Sequence, residues 1–270
     1  MTPQDLDIRL KTAAAITRDA GKLALDFFHR RDQLEIEHKG MQDLVSLADR
    51  QTEDVIRAGL SQAFPDDAII GEEGGTEAAA AAGPLWIIDP IDGTMNFLRG
   101  VPYWSVAVAL VVDGQLMMGI TYDPVHDELY TARRGGGAFR NGQAIRVSGT
   151  DDPRHAVIGA TFSFKMSVDA YGSLLTTILK AGSDHRRLGS TALMMAHVSD
   201  GRLDACATLM CNSWDVIGGL MLVEEAGGVA SDFQDGAALD EPNRCYGSTP
   251  GLANHVKSLP GLASPADSLA

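Results

Sequence analysis

The sequence predicts a mixed α/β protein built in layers, and three patterns carry that expectation. Two tight-turn dipeptides, Asp113-Gly114 and Asn141-Gly142, join strand-forming runs in the middle of the chain. Amphipathic helix patterns come before them. Strand–helix alternation follows from about residue 156. Antiparallel hairpins flanked by helices and by alternating units give a layered α/β architecture.

The elements can be justified in chain order. Thr2 as N-cap, Pro3 at the first helical position and Asp5 in the first turn open a long helix. Leu6, Leu10, Ala13, Ala20, Leu23 and Phe27 mark its apolar face. A second helix runs from near Asp49 to Phe64 and stops before Pro65. The alanine-rich stretch between Gly74 and Gly83 reads as an exposed loop, with a short helical turn open as an alternative. A strand at Trp86 and a strand-rich region from Ser105 to Ser148 follow. After Pro153 come a strand (Ala156–Phe162), a helix around Asp169–Ala181 and a helix from Ser190 to about Asp200. A strand near Leu203–Thr208 then leads to a helix at Trp214, and the Ser264–Ala270 tail is expected to be disordered. No internal repeat or low-complexity linker splits the chain, so one domain is expected over 1–270, with an N-terminal part about 1–152 and a C-terminal part about 153–270.

Composition narrows the function. The chain has 270 residues, 45% of them hydrophobic, enough for a large core. No apolar run is long enough to span a bilayer, so no membrane partner is expected. The Met1–Asp5 start lacks a basic, apolar leader, and Cys206, Cys211 and Cys245 lack zinc-type spacing. A cytoplasmic protein with reduced thiols is the expectation. A net charge of −14 argues against nucleic acid as a partner.

The most informative segment is Trp86-Ile87-Ile88-Asp89-Pro90-Ile91-Asp92-Gly93-Thr94-Met95-Asn96-Phe97. Its apolar run reads as a buried strand delivering Asp89 and Asp92 at its end, with Pro90 blocking continuation of the ladder. Gly93 and Thr94 open the next segment, where free backbone N–H groups can meet an anion. Carboxylates beside a phosphate-sized nest call for a cation between them, and Mg²⁺ is the usual one. The same string is also a respectable turn, because Asp, Pro and Gly each favour turns. Two further segments shift the balance. Ile69-Ile70-Gly71-Glu72-Glu73-Gly74 is another apolar run ending in acids, and Asn212-Ser213-Trp214-Asp215 sets an acid at a helix start. Capping is the ordinary role of a lone Asp215, but three such segments together read as a metal site assembled from loop ends.

These strings resemble the inositol monophosphatase family. The resemblance extends to Lys39-Gly40-Met41-Gln42-Asp43-Leu44-Val45-Ser46-Leu47-Ala48-Asp49 and to Gly189-Ser190-Thr191-Ala192, in the family's order from about Lys39 to Asp232. It implies the family's layered α-β-α-β-α sandwich, shared with fructose-bisphosphatases. It also implies a Mg²⁺-dependent, lithium-sensitive hydrolase acting on a small phosphate ester, and a homodimer. By resemblance, Glu72, Asp89 and the carbonyl of Ile91 would hold one Mg²⁺, and Asp89, Asp92 and Asp215 a second. A third, weaker ion would lean on Glu72. Two ions about 3.5–4 Å apart can clamp both oxygens of an in-line displacement. Thr94 and Asp49 would orient and deprotonate the attacking water, with Asp49 also capping the second helix. Gly93 and Thr94 would hold the phosphate through their N–H groups, and Lys39 would support bound water or the ester.

No Ser, Cys or His nucleophile is needed for attack by water. None of the seven histidines forms a paired or HExxH spacing, and structural or surface roles are expected for them. Dispersed basic pairs such as Arg186-Arg187 read as solvated surface, although His185-Arg186-Arg187 lies just before Gly189, where family substrates sit.

For the substrate, the resemblance places Gly189, Ser190 and Ala192 on the alcohol side of the pocket, with Asp92 and Asp215 nearby. Inositol phosphatases commonly carry a glutamate seven residues before the Trp-Asp aspartate, where this chain has Thr208. Losing a carboxylate weakens polyol recognition, because charged acceptors make the stronger hydrogen bonds. Inositol 1-phosphate ranks first and histidinol phosphate second. Nucleotide 3′-phosphates, argued against by Met95-Asn96-Phe97 after Thr94, and fructose 1,6-bisphosphate rank lower. Some bacterial members of the family bind transcription machinery, which gives a non-enzymatic alternative.

Overall fold

The computed structural model describes residues 1–33, 36–40, 43–76, 83–235 and 238–262. The alanine-rich stretch 77–82 and the tail 264–270 lie outside the described residues. None of the described helices is long and apolar enough to cross a membrane.

Sequence signals at helix starts are realised as hydrogen-bonded caps. Thr2 and Asp5 form a reciprocal capping box on the Pro3–His29 helix. Ser46 and Asp49 do the same for the Leu47–Ala63 helix. The buried stripe of the first helix runs through Leu6, Ala13, Thr17, Ala20, Gly21, Ala24 and Phe28. It is therefore rotated slightly from the expected face, with Phe28 rather than Phe27 at its end: small residues let the helix sit close to the sheet.

Among the described residues there are two main sheets. The larger orders its strands as Gln143–Ala144, Gly137–Arg140, Glu128–Arg133, Gln115–Asp123, Ser105–Val112, Pro84–Asp92, Ala68–Gly71 and Gly75–Thr76. Asp113-Gly114 and Asn141-Gly142 make two-residue hairpin turns in it, as expected. The smaller sheet orders Asp184–Arg186, Val157–Ala160, Ala205–Cys211, Asn243–Ser248 and Val229–Ala230. Three of these strands, Asp184–Arg186, Val229–Ala230 and Asn243–Ser248, are not expected from the sequence: the first is wholly polar, the second only two residues long, and the third polar at both ends.

The layers follow from which apolar faces meet. The first two helices pack with Trp86, Ile88, Val106, Val108 and Ile120 on one face of the large sheet. The Thr191–Ser199 and Ser213–Glu225 helices lie between the sheets. Leu193, Met221 and Leu222 pack with Tyr130, and Met195, Val216 and Val223 with Cys206 and Cys245. These two central helices are buried almost all round, as a layer enclosed on both sides requires. Leu174, Ile178 and Val256, from the Val168–Lys180 and Ala253–Lys257 helices, cover the outer face of the small sheet. The expected α-β-α-β-α order is the one observed.

Candidate active site

The site begins with a strand irregularity. The expectation that Pro90 ends the ladder is corrected: the strand Pro84–Asp92 continues through it. Asp89 pairs with Ala107 and Asp92 with Ser105, so the strand carries one more residue than its partner across this interval. Pro90, lacking an N–H, is accommodated in this bulge. The extra residue has a chemical consequence. In a regular strand, residues three apart point to opposite faces. Here a carboxylate oxygen of Asp89, one of Asp92 and one of Asp215 all lie within 4.8 Å of one another. The Ile91 N–H donates to Asp89 Oδ1 at 3.0 Å and fixes that carboxylate in the bulge.

Each neighbouring acid is held by an element start. Asp92 accepts from the Ser190 hydroxyl, from the Thr191 N–H at 3.2 Å and from the Ala192 N–H at 2.7 Å. It thereby binds the N-terminus of the Thr191–Ser199 helix, where a carboxylate favours the dipole. Asp215 accepts the Asn212 N–H at 2.8 Å in the capping box of its own helix. Glu72 follows the Ala68–Gly71 strand, and its N–H donates to the Ile88 carbonyl at 3.3 Å.

Burial raises Asp89, Asp92 and Asp215, and neighbouring carboxylates add to it at Asp89 and Asp215. Asp89 lies well above the ordinary carboxylate range because it is buried and faces Glu72, Asp92, Asp215 and Asp49. Burial pushes Asp92 up to about 6, against the hydrogen bonds from Ser190, Thr191 and Ala192. Burial and the Asp92 charge push Asp215 up to about 7, with the Asn212 N–H and Lys165 opposing. An all-oxygen set of crowded, buried carboxylates is the donor chemistry of a hard divalent cation, and Mg²⁺ fits it.

Beside the acids stands a hydroxyl–carboxylate pair. Thr94 Oγ1 lies 3.3 Å from Asp49 Oδ1 and 3.1 Å from the Ile91 carbonyl. Asp49 Oδ2 meanwhile accepts from the Ser46 N–H and hydroxyl, both at 2.8 Å. Both roles weighed for Asp49, cap and neighbour of Thr94, are thus filled by its two oxygens. Burial raises Asp49 to about 6 even against the Ser46 hydrogen bonds. Gly93, at φ +98°, begins the Thr94–Arg99 helix with no side chain capping it. A side chain at Gly93 would be strained by that φ and crowded by the Gly189 carbonyl. Asn96 fixes the far side of this contact, donating to the Tyr103 and Leu188 carbonyls at 2.7 Å each.

A cleft of 560 Å³ opens over these groups, lined among others by Glu72, Gly93, Thr94, Gly189 and Asp215. Four expected substrate contacts do not line it, the first being Asp92, which is buried against the start of the Thr191–Ser199 helix. Ser190 and Ala192 are buried and do not line the cleft; their hydroxyl and N–H are turned to Asp92. Thr191 lines it instead, because the first residue of a helix is exposed on the side its neighbours bury. Thr208 is fully buried and donates to the Met210 carbonyl at 3.1 Å. Lys39's side chain lies outside the described residues.

Other lining residues were missed. Arg187 faces the cleft, whereas Arg186 pairs with Asp184 at 2.7 Å, so the two halves of that basic pair differ in role. Phe162, Phe164 and Lys165 also line it, with the two rings edge-on at 5.1 Å. The aromatic pair in Thr161-Phe162-Ser163-Phe164-Lys165, beyond the end of a strand, was the available signal.

Comparison with known proteins agrees with this geometry. The model of the inositol monophosphatase family matches residues 5–268. An inositol-1-monophosphatase of Mesorhizobium japonicum is 39% identical over 230 residues, 84% of this chain and 83% of that protein. A Pseudomonas aeruginosa protein named Nus factor SuhB is 38% identical over 230 residues, 83% of this chain and 85% of that one. Among solved structures, an IMPase of Thermotoga maritima superposes with a TM-score of 0.81 at 35% identity, covering 92% of this chain and 94% of its own.

Proposed function

Because the chain belongs to the inositol monophosphatase family, a family of phosphatases, we propose that it is a Mg²⁺-dependent phosphomonoesterase, with inositol 1-phosphate as its first candidate substrate. The observation that carries the reading is the Asp89–Asp92–Asp215 cluster close to the Thr94–Asp49 pair, with Asp215 and Thr94 opening onto one cleft. Glu72, Asp89 and the Ile91 carbonyl would hold one ion, and Asp89, Asp92 and Asp215 another, with a third weaker ion leaning on Glu72. When bound, such ions neutralise phosphate charge and lower the pKa of water.

The chain's own groups supply the rest. The Thr94 hydroxyl takes a proton from the attacking water as it passes its own to Asp49 Oδ1, and the water oxygen bonds to phosphorus as the P–O bond to the ester alcohol breaks. Asp49, raised to about 6, is a base suited to neutral pH. The uncapped first turn at Gly93 and Thr94 offers N–H groups to the ester phosphate. Asp92 links the cluster to the Thr191–Ser199 helix, so hydrogen bonds tie the cation site to the cleft wall at Thr191.

Histidinol phosphate is the second reading, favoured by two observations. Thr208 stands where polyol-binding relatives have a carboxylate, and it is buried away from the cleft. Phe162 and Phe164 meanwhile offer ring faces to an imidazole. Initial rates of phosphate release at fixed Mg²⁺ from inositol 1-phosphate, histidinol phosphate, fructose 1,6-bisphosphate and adenosine 3′,5′-bisphosphate test the assignment. Preference for the first supports the leading reading, preference for the second replaces it, and no release from any ester overturns the phosphatase proposal. The name of the Pseudomonas relative suggests a regulatory role as well. Asp92→Asn separates the two: catalysis collapses, whereas a binding role survives.

A further inference from the structure

We propose that Glu53 and Arg57 are positioning residues that hold the Glu72 turn in its metal-binding place, an inference that rests on the assignment of Glu72 as a cation ligand. Glu53 is 2% exposed, a buried carboxylate on the Leu47–Ala63 helix. A charge so deep in a protein needs partners, and it has three. Its Oε2 accepts the Glu73 N–H at 2.8 Å, and its Oε1 accepts the Gly74 N–H at 2.9 Å and Arg57 Nε at 2.6 Å. Arg57 in turn donates from Nη2 to the Gly75 carbonyl at 3.0 Å. The pair therefore grips the turn by the backbone of residues 73, 74 and 75, immediately after Glu72.

The glycines of Gly71-Glu72-Glu73-Gly74 fit the same account. A Cβ at Gly71 would overlap Glu53 Oε1, and one at Gly74 would lie 2.8 Å from that atom and 2.9 Å from Arg57 Nη2. Close approach of the turn to the Glu53–Arg57 pair thus accounts for both small residues. Asp49 precedes Glu53 by one helical turn, so one helix registers both the Thr94 partner and the Glu72 turn.

Glutamine at 53 keeps the shape but offers one acceptor oxygen where two N–H groups and a guanidinium require two. Partners behind a metal ligand typically cost about 10–100-fold in affinity when removed. The test titrates metal-stripped wild type and Glu53→Gln with Mn²⁺, followed by electron paramagnetic resonance, and records thermal unfolding in chelator. A tenfold or larger rise in the Mn²⁺ dissociation constant is expected. The kcat at saturating metal should stay within about threefold, since Thr94 and Asp49 are untouched. Gly74→Ala, at an exposed position, should weaken Mn²⁺ in the same direction and keeps the test open if Glu53→Gln does not fold. Metal affinity unchanged within twofold in both variants, with only the unfolding temperature lowered, overturns the positioning role. Wild type that binds no Mn²⁺ instead overturns the assignment of Glu72.

Discussion

Removing divalent metal should make this protein less stable as the pH rises through neutrality, the reverse of ordinary acid denaturation. Asp49 and Asp92 are raised to about 6 and Asp215 to about 7, from an ordinary value of 3.8, with burial the leading cause for each. A carboxyl raised on folding binds its proton more tightly in the native state than in the unfolded chain. Its stabilisation is therefore complete below the unfolded value and is lost as pH climbs through the folded one. Asp215 alone, moved from 3.8 to about 7, corresponds to about 4 kcal/mol. At about 2 °C per kcal/mol for a chain of this size, that is a fall of about 8 °C in Tm over the whole span, of which about 5 °C falls above pH 5. His197 opposes it, since burial lowers its pKa to about 4 and its contribution rises with pH up to about 6.5. The carboxyls outnumber it, so the net slope stays downward, and above pH 6.5 the carboxyls act alone. The assay is circular-dichroism melting in chelator from pH 5 to 8, with and without excess Mg²⁺. Excess Mg²⁺ should restore the lost Tm at pH 7.5. Asp92→Asn should flatten the decline, because it removes one buried charge from the cluster. A chelated Tm that is flat or rising between pH 6.5 and 7.5, or indifferent to Mg²⁺, refutes the reasoning.

Three other outcomes follow from single contacts. Thr94→Val removes the hydroxyl that joins water to Asp49, so kcat should fall about 10²–10⁴-fold while Mn²⁺ affinity stays unchanged; a similar loss in metal affinity would make Thr94 structural. Asn96→Ala leaves the Tyr103 and Leu188 carbonyls without their donor, and chemical denaturation should show a loss of about 1–3 kcal/mol together with a raised KM. Lithium should inhibit at millimolar concentration if it takes the Asp89/Asp92/Asp215 position, so rates indifferent to it would place the second cation elsewhere.

Much of the site was legible because its ligands sit at element ends that local chemistry announces. The apolar run into Asp89 is one such signal, and the Ser46/Asp49 and Asn212/Asp215 capping boxes are others. What was hidden depends on partners far along the chain. Nothing local says that Ser190 and Ala192 turn to Asp92, about 100 residues away, and leave Thr191 facing the cleft. Thr208 counts as a substrate contact by spacing, yet its strand carries it into the interior. Nothing local marks Glu53 as buried, and only the approach of the Glu72 turn makes it an anchor.

The sequence by itself determined the five longest helices, the two hairpin turns, the carboxylate inventory and the family, because these depend on residue type and short spacing. Only the tertiary structure decided which carboxylates come together. That choice rests on the bulge at Pro90, which turns Asp89 and Asp92 toward the same point, and on the packing of two helix starts against it. Strand geometry alone would have sent those two side chains to opposite faces.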